Sequence, residues 1–274
     1  MNTKKTQIIG VLNITPDSFS DGGEYFSDVK LAVNRTKQML TEGADIIDIG
    51  GESTRPGSEQ VGAEEEIKRV LPVIIDIKKQ LPQAKLSIDT WKSEVAKEAI
   101  ANGCTIINSL GGFSFDKKLA EVVSKSNTQI IIYHIKGEPK TMQNGEIKYI
   151  NVIEEIAEFF KEQIAIGFKA GIKKEQFILD PGIGFGKTLE QNLEIIKNLK
   201  EFTKFNLPIA VGISRKSHLG KILEQELNLI TSPTERLEAT LAETAIAVLN
   251  GASIIRTHDI LQTKKFLTIL DKLK

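Results

Sequence analysis

Eight short apolar runs rich in β-branched residues recur along the chain, and nearly every one ends on a polar residue able to do chemistry: Asn13, Asp48, Asp89, Asn108, His134, Asp180, Ser214 and His258. Stretches with helical spacing separate the runs, so the chain reads as successive βα units. Few folds accept that pattern. A closed (β/α)8 barrel gathers the C-terminal ends of its strands at one face, where polar groups far apart in sequence converge on one pocket. Such a barrel takes about 250 residues. The chain has 274, and the expected fold is therefore α/β, a (β/α)8 TIM barrel, forming a single domain over 1–274.

The strands are read as QIIGVLN, DIIDIGG, KLSIDT, TIINSL, QIIIYH, FILDPG, PIAVGIS and SIIRTHD. Each is continuously apolar rather than alternating, as expected of parallel strands covered on the outside by helices. Between them, Asp28 to Gly43 carries Val29, Ala32, Val33, Thr36, Met39 and Leu40 on one stripe and stops at glycine. The segment after Asn151 places Ile153, Ile156, Phe160 and Ile164 on another and closes at Gly171. Two connections break the rhythm, ITPDSFSDGGEYFS after the first run and GGESTRPGSEQVG after the second. Their Gly, Ser, Pro and Asp content marks them as loops over the site.

Composition excludes several classes of function. Lys and Arg number 36 and Asp and Glu 36, and no basic block breaks the balance, so neither nucleic acid nor a membrane surface is an expected partner. The opening MNTKKTQIIGVLN has an apolar stretch too short for a signal peptide's core. No segment reaches the ~18 uninterrupted apolar residues of a membrane span. A lone cysteine, Cys104, rules out an internal disulfide and a cysteine-rich zinc site. The expectation is a soluble cytoplasmic protein whose anionic ligands, if any, are met by local charge.

GIGFGKT imitates a phosphate loop, but the first glycine of that pattern would fall on Pro181, and the pattern fails. Its glycines suit close backbone approach to a flat ligand and a helix start at Thr188. Arg256 and His258 are two apart and project to one side, as do Ser214 and Lys216 if the seventh strand continues that far. On local sequence alone, Asp180 beside Pro181 has the alternative of a turn carboxylate, Asp89 and Asn108 that of ordinary strand ends, and Arg215-Lys216 that of a solvated basic turn. His134 and His218 are read as structural, and Asp17, Asp48 and Glu52 as local structure only.

The series LNITPDSFSDGG, GADIIDIGGESTRPG, SIDTWK, IINS, YHIKGEP, ILDPGIGFGKT, GISRKS, RLEAT and IIRTHD runs in order from one end of the chain to the other. Taken together it resembles the dihydropteroate synthase family of pterin-binding, folate-pathway enzymes. The resemblance implies a transferase that condenses 6-hydroxymethyl-7,8-dihydropterin pyrophosphate with p-aminobenzoate, with Mg2+ as cofactor and a homodimer as the assembly. It assigns Asp180, Asp89 and Asn108 to the pterin edge, Lys216 to the pterin carbonyl and N5, and Arg256 and His258 to pyrophosphate. Ser217 falls to the p-aminobenzoate carboxylate, Thr54, Arg55, Pro56 and Phe19 to the loops around pyrophosphate and p-aminobenzoate, Phe185 to the aromatic beneath, and Asn13 to magnesium. The sequence departs from the family pattern at Ser109, where Asp is common, and at Tyr133 and Ile135, which flank His134 in place of Met. Ser109 should face away from the side that Asn108 uses. A competing class is a barrel module that presents methylfolate to a corrinoid protein. The SRKS, STRPG and RTH segments, which address pyrophosphate and p-aminobenzoate, favour the synthase over it.

Overall fold

The computed structural model describes residues 5–15, 28–53, 58–138, 140, 142 and 147–274. Its strands are β1 (Gln7–Asn13), β2 (Ile46–Gly50), β3 (Leu86–Asp89), β4 (Ile106–Leu110), β5 (Gln129–Tyr133), β6 (Phe177–Asp180), β7 (Ala210–Gly212) and β8 (Ile254–Thr257). The helices are α1 (Val29–Glu42), α2 (Ala63–Gln80), α3 (Ser93–Ala101), α4 (Lys118–Ser124), α5 (Val152–Ala170), α6 (Leu189–Lys197), α7 (Ser217–Leu227), α8 (Leu237–Leu249) and α9 (Ile260–Leu273). Every strand pair is parallel, in the order β6-β5-β4-β3-β2-β1-β8-β7. A parallel bridge between Leu179 and Ile209 joins the two ends and closes the barrel.

Side chains in a strand alternate between faces, and here both faces are buried, which is why the runs look continuously apolar in sequence. Outward residues such as Ile8, Ile47, Ile88, Ile132, Leu179 and Val211 pack under the helices in the main core. Inward residues Ile9, Ile46, Ile106, Ile131, Ile178, Ala210 and Ile254 form a separate apolar layer inside the barrel. Two positions further along the same inward rows the side chains turn polar: Asp48, Asn108, Asp180 and Arg256. The barrel is thus plugged with isoleucine below and lined with hydrogen-bonding groups above.

The helices form where sequence signals place them. Asp28 caps α1 by accepting from the amides of Lys30 and Leu31, and Gly43 ends it at φ 108°. Asn151 caps α5, whose buried stripe includes Ile156 and Phe160, and Gly171 ends it in the left-handed region. Thr188 opens α6 through a reciprocal capping box with Gln191. Six of the eight strands stop one or two residues before the apolar runs do, because residues such as Thr90, His134 and Pro181 already belong to the connecting turns. No helix among the described residues is long and apolar enough to cross a membrane.

Candidate active site

The polar inward layer is tied together by one arginine. Arg256, on β8, donates through Nε to Asp48 Oδ2 and through Nη2 to Asp89 Oδ2, each at 2.7 Å. Asn108, on β4, donates its amide Nδ2 to the same Asp48 oxygen at 3.0 Å. The guanidinium expected to meet pyrophosphate is therefore held by two carboxylates. The layer is incompletely satisfied: Asp48 Oδ1, Asn108 Oδ1 and Ser87 Oγ are buried without a hydrogen-bond partner.

Above this layer lies a pocket of about 450 Å³ at the C-terminal mouth. Asn13, Asp89, Lys216, Ser217, Arg256 and His258 line it, as do Tyr133 and Phe185. Phe185 lies edge-on to Tyr133 at 4.8 Å between ring centroids, and Lys216 Nζ sits 4.2 Å from the Phe185 centroid, a cation–π contact. Asp180 and Asn108 do not line the pocket surface. They are buried, at 3 % and 1 % exposure, in the wall beside it. Phe19, Thr54, Arg55 and Pro56 lie outside the described residues.

Three departures from the sequence reading have local causes. β7 ends at Gly212, and Arg215 adopts φ 61°, so the chain reverses before Lys216, which stands at the N-terminus of α7 rather than on a continued strand. Ser214 instead accepts from the His258 amide at 3.2 Å and lies 3.1 Å from His258 Nδ1. Asp180 Oδ1 accepts from the Gly182 amide at 2.8 Å, so the turn-carboxylate role that the neighbouring Pro181 suggests is real. Two of the three glycines of GIGFGKT make room for the protein's own backbone, and the third, Gly184, lines the pocket against the Lys216 side chain. A Cβ on Gly182 would stand 1.8 Å from the His134 carbonyl oxygen, and one on Gly186 2.2 Å from that of Lys136. Ser109 donates to the Gly112 carbonyl at 2.7 Å, away from the site, and Ile135 packs with Leu110, Met142 and Phe185.

Burial brings the site's ionisable groups toward neutrality. It raises Asp89 to about 7, against the lowering pull of Arg256 and with a further raise from Asp48. It raises Asp180 to about 6, opposed by the Gly182 amide and by Lys216. The same desolvation, helped by Arg256, lowers Lys216 to about 8. Arg256 goes the other way in sum: burial lowers it, but Asp48 and Asp89 hold it above its ordinary value.

Several participants escaped the sequence reading. Asp48 and Glu52, read as local structure, are respectively the shared anchor of Arg256 and Asn108, and a pocket-lining carboxylate paired with buried Lys92. Lys92 also pairs with Glu66, whose second oxygen has no partner. Lys187, buried, reaches His134 Nδ1 and the Phe185 carbonyl, both at 3.0 Å, and fixes the β6–α6 turn that carries Phe185. Arg236, quoted in RLEAT but given no role, lines the pocket and donates to the Arg215 carbonyl at 3.1 Å.

A closed parallel barrel that concentrates carboxylates and cations at the C-terminal ends of its strands is a (β/α)8-barrel enzyme. Its residues 9–258 match the family of pterin binding enzymes. A dihydropteroate synthase of Synechocystis is 42 % identical over 270 residues, spanning 98 % of this chain and 91 % of the relative. The crystal structure of a dihydropteroate synthase from Clostridium difficile, obtained in the presence of pteroic acid, superposes with a TM-score of 0.89 at 42 % identity, covering 99 % of this chain and 97 % of the other. A Xanthomonas albilineans dihydropteroate synthase with 4-aminobenzoic acid gives a TM-score of 0.87 at 33 % identity, with coverage of 100 % and 94 %. The chain belongs to the pterin-binding enzyme family and, within it, to the dihydropteroate synthases, transferases of folate synthesis.

Proposed function

We propose that the pocket condenses 6-hydroxymethyl-7,8-dihydropterin pyrophosphate with p-aminobenzoate to give 7,8-dihydropteroate and pyrophosphate. The observation that carries this reading is the convergence at one barrel mouth of Asp89, ion-paired to Arg256, and Asp180, buried in the wall, with the pocket-lining cation Lys216. A 2-amino-4-oxo pterin presents adjacent donors at N3 and the 2-amino group, which an ionised carboxylate accepts together; Asp180 is assigned to them. Asp89 and Asn108 take the remaining polar edge, and Lys216 donates to the carbonyl and N5. Ser217, beside Lys216, faces the p-aminobenzoate carboxylate, and Phe185 supplies the apolar surface beneath the ligand.

In the reaction the bond from the pterin's exocyclic methylene carbon to the pyrophosphate oxygen breaks, a bond to the aniline nitrogen forms, and the proton that this nitrogen then sheds passes to the departing pyrophosphate. The dihydropterin ring delocalises the cation that develops at that carbon. Arg256 and His258 stabilise the departing anion, and the walls orient the two partners and exclude water. The aniline nitrogen is already nucleophilic, so no strong base is required.

The residues fit a magnesium ion held mainly by the leaving group. Among the described residues no three His, Cys, Asp or Glu side chains converge as a ready-made metal site. Asn13 places an amide side chain at the pocket, and its oxygen suits a cation that takes one or two protein ligands beside phosphate and water. Bound there, Mg2+ would neutralise charge on pyrophosphate. We also propose a cytoplasmic location and a homodimer. Exposed Ile246 and Leu249 on α8 and Ile269 and Leu273 on α9 are apolar surface of the kind a second copy covers. The direct test is release of dihydropteroate and pyrophosphate from purified protein given both substrates and magnesium; absence of both products refutes the reading.

A further inference from the structure

We propose that Asp48, buried on β2 beneath the pocket, is a positioning residue that fixes which atom of the Asn108 amide, and which edge of the Arg256 guanidinium, faces the pterin. The inference rests on the pterin reading above. Asp48 has 0 % exposure, and its Oδ2 accepts from both Asn108 Nδ2 and Arg256 Nε. The two ends of an asparagine amide have nearly the same shape and opposite hydrogen-bonding polarity, so an asparagine reads a ligand reliably only if a neighbour fixes its orientation. An ionised carboxylate is an acceptor alone. It therefore takes the Nδ2 end and turns Oδ1 away, and that Oδ1 is buried and has no protein partner. The unpaired atom of Asn108, in the wall beside the pocket, is then an acceptor, the polarity that complements a ligand rich in N–H donors.

The same oxygen holds Nε of Arg256 while Asp89, on β3, holds Nη2, so the guanidinium is gripped at two points and its plane is set. Asp48 thus links β2 to β4 and β8. A role confined to stability explains this arrangement poorly. Buried ion pairs stabilise little relative to apolar packing, and Asp48 keeps its second oxygen buried and unpartnered, as is Ser87 Oγ on the facing strand, with Ser87 its register partner.

The test measures binding of two probes, 6-hydroxymethylpterin and 6-hydroxymethyllumazine, in which a carbonyl replaces the 2-amino group. They are titrated into the wild-type protein and the variants Asp48→Ser and Asp48→Asn. The serine hydroxyl can donate as well as accept and is too short to hold both partners, so the amide is released. Pterin binding should weaken about tenfold, and the preference for pterin over lumazine should narrow. Asparagine can still offer one oxygen, held in place by Arg256 Nε, to both donors, and should retain affinity and preference to within about threefold. A folded Asp48→Ser protein with unchanged affinity and preference overturns the inference, as does an Asp48→Asn protein that loses as much as the serine variant. If Asp48→Ser does not fold, nuclear Overhauser contacts of the Asn108 Nδ2 protons in the wild type decide. Contacts to Asp48 and none to bound pterin support the inference, and contacts to the pterin overturn it. A wild type that binds neither probe overturns the pterin reading and this inference together, whereas binding with indifferent variants overturns this inference alone.

Discussion

Desolvation does most of the chemical tuning of individual residues in this pocket. A carboxyl group removed from water is disfavoured in its charged form, and Asp180, buried in the wall, is raised to about 6 chiefly for that reason. The ligand donors assigned to it favour the ionised form. The Asp180 contribution to pterin affinity should accordingly be full above the raised value and fall as pH drops through about 6, whereas an ordinary aspartate would hold its ligand to a lower pH. Asp180→Asn preserves shape but replaces one acceptor with a donor, and it cannot titrate. The variant should lose roughly 2–3 kcal/mol of pterin binding, the size of a charge-assisted buried hydrogen bond, and should lose the Asp180 part of the acid limb. Calorimetry from pH 5 to 8 on both proteins checks this. Equal affinities, or an unaltered acid limb in the variant, would remove Asp180 from the role.

At the scale of elements, the site depends on how strands hand over to loops. The turn after β6 is packed against the turn after β5 so closely that Gly182, at φ 75°, has no room for a methyl group. Gly182→Ala combines left-handed strain with a clash against the His134 carbonyl, at a cost of about 2–4 kcal/mol. It should also displace Asp180 and Phe185, so activity falls along with stability. Gly62→Ala, where the added carbon meets nothing within 4 Å, should cost only a few tenths of a kcal/mol as a poorer N-cap. Urea unfolding of the two variants beside their activities tests the difference, and similar losses from both would contradict the packing argument. The strands and the helices α1, α5 and α6 were legible in the sequence because caps and apolar periodicity are local: Asp28, Gly43, Asn151 and Thr188 mark helix ends within a few residues of themselves, whereas the second helix between β7 and β8 breaks the one-helix rhythm that was expected. The turn after β7 was not, since Arg215 is not a residue type that announces a left-handed conformation. Nor was the work of Asp48. Its partners stand 60 and 208 positions away, and only strand register brings them together. Lys92 escaped for the same reason, with one carboxylate partner 40 residues back on the β2 loop and the other 26 back on α2. Strand ends announced that a site exists; the wiring beneath it follows from barrel closure.

Closure is uneven around the whole molecule, and the pocket lies across its weakest join. β1 and β2 pair over five residues, whereas β6 and β7 meet through the single Leu179–Ile209 bridge and the hydrogen bond from the Leu179 amide to the Pro208 carbonyl at 2.9 Å. A seam with so few backbone bonds opens locally at lower free energy than its neighbours. Asp180 and Phe185 stand on the β6 side of it, and Lys216 and Ser217 follow β7. A pterin gripped by Asp180 and Lys216 therefore clasps the two edges, and an opened seam cannot hold it. By mass action a ligand at 100 times its Kd stabilises the binding-competent state by about 2.7 kcal/mol, close to a hundredfold. The Leu179 amide should exchange with deuterium slower by up to that factor when 6-hydroxymethylpterin is bound. The Lys125 amide, at the outer end of α4 away from the pocket, frays independently of the ligand and should keep its rate. Native-state hydrogen exchange with and without the pterin measures both amides in one experiment. An unprotected Leu179, or equal slowing at Lys125, would show that the ligand does not act as a clasp across the seam.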